Sequence, residues 1–84
     1  MIKNKISLDP SLNIDDILRE LEERFTGEEI DTRDGLKIDF AEGWVHLRKS
    51  NTEPIIRVYA EAADTELANK LADKVMHVVH EFKN

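Results

Sequence analysis

The chain has 84 residues, no cysteine and a formal net charge of -6. Its length suits one domain, and its 40% hydrophobic content suits one modest core. The acid excess argues against nucleic acid and anionic membranes as partners, and the missing cysteines exclude disulfides and thiolate metal sites. A cysteine-free chain with no apolar run of membrane length and no signal-peptide core is expected in the cytoplasm.

Residues 1–12 form a short lead-in. Within it, Lys5-Ile6-Ser7-Leu8 reads as extended, until Asp9-Pro10 stops it. A helix then begins at the N-cap Asn13, with Asp15 and Asp16 in the first turn where the helix dipole favours negative charge. Ile14, Ile17, Leu18, Leu21 and Phe25 make its apolar stripe, and Gly27 is placed to end it.

The period next changes from helical to two. A strand is expected over Glu28 to Thr32, and Asp34-Gly35 signals a hairpin turn. Leu36, Ile38 and Phe40 alternate with Lys37 and Asp39. After the turn at Ala41-Glu42-Gly43, the strand Trp44 to Lys49 puts Val45 and Leu47 on one face and His46 and Arg48 on the other. From Ile55 to Ala62, Ile56, Val58, Ala60 and Ala62 share one face, opposite Arg57, Tyr59 and Glu61. A last helix starts at Asp64 or Thr65, with Leu67, Leu71, Val75, Val78, Val79 and Phe82 as its stripe. The expected class is α+β, an antiparallel four-stranded sheet with two helices on one face and the other face polar.

Between the last two strands lies the polar run Ser50-Asn51-Thr52-Glu53-Pro54, with Arg48 before it and Arg57 after it. If those strands pair as a hairpin, both arginines project from the polar face at the base of the loop. Two guanidiniums brought together are unfavourable unless an anion lies between them. Guanidinium matches phosphate oxygens bidentately, and the Ser50 and Thr52 hydroxyls can donate to the same group. Asn51 tolerates a left-handed backbone, which would let successive amides form an anion nest. Pro54, lacking an N–H, fixes the exit of the loop. A phosphomonoester, with about -1.5 to -2 charges, suits this set. The plain alternative is a solvated loop of common turn residues.

The remaining candidates have structural explanations. His46 shares the arginines' face but is read as an exposed strand histidine. His77 and His80 lie three apart on the last helix with Glu81 as the adjacent carboxylate, too little for a metal site. Asp31, Asp34, Asp39 and Glu42 form no liganding pattern. Trp44 can stack on a sugar or pack at a domain edge. Lys49 either adds positive potential or is solvated.

Arg48-Lys49-Ser50-Asn51-Thr52-Glu53-Pro54, with Arg57 downstream, resembles the phosphate-binding loop of the α-D-phosphohexomutases. The likeness extends from Asp34 to Ala62 and, with the flanking helices, over nearly the whole chain. It implies the C-terminal domain of an enzyme that interconverts hexose 6-phosphates and 1-phosphates, with a fold similar to one half of the TATA-box-binding protein. On the matching positions it implies Arg48, Ser50, Asn51, Thr52 and Arg57 as contacts of the phosphate that is not transferred. Glu53 and Pro54 are assigned to loop shape.

The family's phosphoserine, its Asp-rich magnesium loop and its sugar-reading loop have no counterpart here. The chain, 1–84, is therefore expected to be a terminal domain without catalytic or metal-binding residues of its own. Its partners would be a phosphosugar and the other three domains of the enzyme, which would also hold the magnesium. Asn51, where glucosamine-type members usually carry glycine, leans towards the phosphomannomutase/phosphoglucomutase branch over phosphoglucosamine mutase. The alternative of another class is a freestanding module that binds a phosphorylated ligand or a protein.

Overall fold

A computed structural model of the chain describes residues 1–82. Its elements run β1 (Ile2–Ser7), α1 (Ile14–Arg24), β2 (Glu29–Asp31), β3 (Leu36–Asp39), β4 (Gly43–Lys49), β5 (Ile55–Ala62) and α2 (Thr65–Glu81). The strands form one sheet in the order β1-β5-β4-β3-β2. Every neighbouring pair is antiparallel.

The expected class holds, but the sheet has five strands and not four. The extra strand is the lead-in, which pairs with β5 from Ile2 opposite Ala60 to Ser7 opposite Ile55. Its apolar signal is weak because it lies at an edge. Ile2 and Ile6 turn towards the helices, while the intervening positions are polar and exposed.

Alternation along the strands sorts the sheet into two faces. Ile6, Leu36, Ile38, Val45, Leu47, Ile56, Val58 and Ala60 are buried with Ile17 and Leu21 of α1 and with Leu71, Val75 and Val79 of α2. Each large side chain removed from water contributes about 1.5–3 kcal/mol. Met1 is the one exposed large hydrophobic among the described residues, so the chain closes its own core. No described helix is long and apolar enough to cross a membrane.

Both helices are capped, the first at Asn13 as the sequence indicates and the second at Asp64. The Asn13 side chain accepts from the Asp16 amide at 3.2 Å, and that of Asp64 accepts from the Leu67 amide at 2.8 Å. The first helix ends before Gly27, with Phe25 as its C-cap. There Phe25 meets Phe40 edge-on, ring centroids 5.7 Å apart, so an aromatic contact with the sheet marks the end of the helix. Gly27 has no positive φ and is not the left-handed cap that the sequence suggests.

The Asp34-Gly35 turn does need its glycine. Gly35 has φ 70°, and a Cβ there would collide with the Leu47 carbonyl oxygen. Gly35→Ala is expected to lower the unfolding free energy by about 2–4 kcal/mol, from the positive φ and the collision together. Asp64→Ala should cost about 1 kcal/mol through the lost cap. Equilibrium urea denaturation checks both.

Candidate functional site

The β4–β5 register puts Arg48 directly opposite Arg57. Both are exposed, on the sheet face away from the helices. The hairpin joining them is closed by its own backbone. The Ser50 amide donates to the Ile55 carbonyl at 3.1 Å, and the Ile55 amide to the Glu53 carbonyl at 2.8 Å. Pro54 offers only a carbonyl, which accepts from the Leu8 amide at 2.8 Å and so ties the loop to the segment after β1.

Inside the loop, donors gather on Ser50. Its Oγ accepts from the amides of Thr52 at 3.2 Å and Glu53 at 3.3 Å, and lies 3.3 Å from Thr52 Oγ1. Two amides and two hydroxyls therefore share one spot at the tip of the hairpin. This is not the nest anticipated from Asn51, because among the described residues no non-glycine residue has a positive φ. The convergence comes from a serine side chain bonding ahead to its own backbone. Asn51 is exposed beside it.

The two guanidiniums share a register position but not a cavity. Arg48 Nη2 turns to Asp34 Oδ2 at 3.4 Å. It lines, with Asp34, Asn51, Lys49, Asp15 and Leu18 among others, a cavity of about 350 Å³. Arg57 lines a separate open concavity with residues of β1. Like charges placed opposite each other repel, so each head lies where the local field suits it better. For Arg48 that is a carboxylate.

Asp34, read from the sequence as a turn residue, is the carboxylate that meets Arg48. The β3–β4 register pairs Leu36 with Leu47, which carries the turn preceding β3 alongside Arg48. His46 fixes the same turn: its Nε2–H donates to the Asp34 carbonyl at 2.6 Å. That gives His46 a structural role. Lys49, on the helix-facing side, reaches Asp15 of α1 at 3.0 Å and anchors the start of the loop. Lys37 Nζ lies 5.2 Å from the Trp44 ring centroid, so one face of the indole packs under a cation.

The acids near the open face are drawn to bases. Asp39 meets Lys37 at 3.9 Å, and Arg33 grips Asp31 at 2.7 Å. Hydrogen bonds from the Arg33 side chain and amide lower the Asp31 carboxyl to about 2. Its folded value lies below the ordinary one, so the pair's stabilisation is present above pH 3.8 and fades as pH falls towards about 2. A carboxyl-carbon NMR titration should place the Asp31 midpoint near 2, and Arg33→Ala should return it towards 3.8. An Asp31 midpoint that does not move in that variant would show the pair to be absent in solution.

Comparison with known proteins shows the family of the chain. Residues 8–78 match the family described as phosphoglucomutase/phosphomannomutase, C-terminal domain. A phosphoglucosamine/phosphogalactosamine mutase of Sulfurisphaera tokodaii is 37% identical over 81 residues, covering 94% of this chain and 18% of that protein. A phosphoglucomutase/phosphomannomutase of Thermococcus kodakarensis is 46% identical over 55 residues, 66% of this chain and 12% of its own length. An Escherichia coli phosphomannomutase is 44% identical over 48 residues, 56% of this chain and 10% of its own. The chain thus spans less than a fifth of the length of these relatives.

Proposed function

We propose that this chain, which belongs to the phosphoglucomutase/phosphomannomutase C-terminal-domain family, seats the phosphate of a hexose phosphate at its β4–β5 loop. The whole protein, on this reading, interconverts hexose 6-phosphate and hexose 1-phosphate in the cytoplasm. The domain clamps the phosphate that is not transferred, and the remaining domains carry the bond-making groups and the magnesium. The observation that carries the reading is the pairing of Arg48 with Arg57 at the base of a hairpin whose tip gathers two hydroxyls and two amides.

Each group has a physical part in this clamp. Arg48 and Arg57 supply charge, and guanidinium supplies two parallel N–H bonds to a tetrahedral anion. Thr52 and Glu53 offer amides that now rest on Ser50 Oγ and can pass to a phosphate oxygen. Asn51, exposed on the wall of the Arg48 cavity, adds an uncharged donor. The clamp positions the sugar and neutralises charge, and it makes no bond itself.

Substrate choice has two readings. Asn51 favours a glucose or mannose phosphate. The name of the Sulfurisphaera tokodaii relative favours an amino-hexose phosphate, and that match covers most of the chain. Coupled assays of the full-length protein with glucose 1-phosphate, mannose 1-phosphate and glucosamine 1-phosphate separate them by kcat/KM.

Charge-assisted hydrogen bonds contribute about 1.5–3 kcal/mol each, against an association cost of about 4–15 kcal/mol. Millimolar or weaker affinity is therefore expected of the isolated chain. In an amide NMR titration with glucose 6-phosphate, shifts should gather at residues 48–57. Arg48→Ala should weaken binding at least about tenfold, the value of one charged contact. Shifts that gather elsewhere, or a binding curve unchanged in Arg48→Ala, would place the phosphate outside this loop.

A further inference from the structure

The open sheet face carries a cationic cluster that extends beyond the loop. β1 sets Lys5 opposite Arg57 and Lys3 opposite Tyr59. Arg57 is in turn opposite Arg48 on β4. Directly paired residues on neighbouring strands lie about 5 Å apart, so Lys5, Arg57 and Arg48 form one row across three strands. Lys3 follows Lys5 by one strand period on the same face. Lys3, Lys5 and Arg57, with Asn4, line an open concavity of about 320 Å³ that has no carboxylate in its wall.

The pattern of ion pairs sets this cluster apart. In a chain with 18 acids and 12 bases, seven of the eleven described lysines and arginines pair with a carboxylate. Lys74 instead lies over the Phe40 ring. Among the described residues, Lys3, Lys5 and Arg57 are joined to no carboxylate. Glu61 shares their face, but it is 3.8 Å from the N-terminal amine. Lysines on an edge strand commonly discourage pairing with another chain. That role accounts for Lys3 and Lys5 on β1, but not for an unpaired arginine beside them on an interior strand.

We propose that Lys5, backed by Lys3, is a further anion-binding residue of this domain, and that it and Arg57 hold a phosphomonoester dianion on the open face of the sheet. The choice of ligand class rests on the loop reading above. The site is continuous with the loop through Arg57, so the anion-binding region is a strip from the hairpin tip to β1. A dianion placed between Lys5 and Arg57 relieves their mutual repulsion and meets no carboxylate in the wall of that concavity.

The test is an NMR titration of the 84-residue chain, which closes its own core, with inorganic phosphate and then glucose 6-phosphate. Sodium chloride of matched ionic strength is the control. Residues 3–5 and 57 are expected to shift on the same isotherm as residues 50–53. Lys5→Ala should weaken binding about threefold to tenfold, and Lys5→Arg should restore it, the scale of one exposed charge-assisted contact. Lys5 lies exposed on an edge strand, so neither variant should disturb folding.

An unchanged dissociation constant in Lys5→Ala with a responsive loop would overturn this inference and leave the loop reading standing. Equal shifts with sodium chloride would overturn it as mere screening. Shifts at residues 3–5 and 57 with a silent loop would uphold the Lys5–Arg57 site and overturn the loop reading. A response from inorganic phosphate alone would uphold the anion site and show that the sugar adds no contact on this face.

Discussion

The register of β4 against β5 is the constraint from which the site follows. Val45 faces Ala60 and Leu47 faces Val58, and all four are fully buried. A slip of one residue would turn them to water and drive Arg48 and Arg57 into the apolar layer. Burying a charge without a partner is far costlier than any surface repulsion. Like charges facing each other across a pair of strands cost on the order of 0.2–1 kcal/mol. The larger of these buried side chains contribute about 1.5–3 kcal/mol each. The core therefore dictates the pairing, and the arginines are held opposite each other at a small loss that an anion can recover.

The rest of the charge is arranged around that loss. On the helices, bases are matched locally: Arg19 with Asp16, and Arg24 with both Glu20 and Glu81. Exposed pairs of this kind add little stability. Their consequence is electrostatic, since they cancel positive potential over the helical side and leave it on one face of the sheet. An acidic molecule can in this way present a local attraction for anions despite its net charge. Asp34 competes for Arg48, but through an exposed contact of 3.4 Å. A dianion that accepts two short guanidinium bonds outweighs a single carboxylate contact of that length.

How far the sequence disclosed this arrangement depends on which residues carried a period. The β3, β4 and β5 strands and both helices alternate or stripe strongly, so their faces could be assigned, and the first N-cap was legible from Asn13 and the start of the last helix to within a residue. The opposition of Arg48 and Arg57 followed from parity alone. Three features did not. The β1 strand escaped as a full strand because an edge position needs only Ile2 and Ile6 to be apolar. The end of α1 coincides with the contact between Phe25 and Phe40, which are fifteen residues apart in sequence. Asp34 and Lys5 reach the arginines only through strand pairing, so their relation to the site is a property of the sheet order. Asn51 misled differently: its tolerance of a left-handed backbone was real as a propensity, yet the serine before it gathers the amides without that conformation.

That difference bears on how such a loop can be ready for a ligand and still be stable without one. Amides aimed at an empty point would be unsatisfied donors, which structures avoid when water is excluded. Here the two amides already rest on Ser50 Oγ at 3.2 and 3.3 Å, distances at the long end for hydrogen bonds. Exchanging a neutral hydroxyl for a charged phosphate oxygen replaces weaker bonds with stronger ones and creates no unpaired donor on the way. Ser50 thus holds the donors in place before the ligand arrives and on the proposed reading contributes a donor of its own afterwards. On the proposed reading the loop needs little backbone rearrangement to take its ligand, because the hydroxyl that organises it occupies the place of one phosphate oxygen.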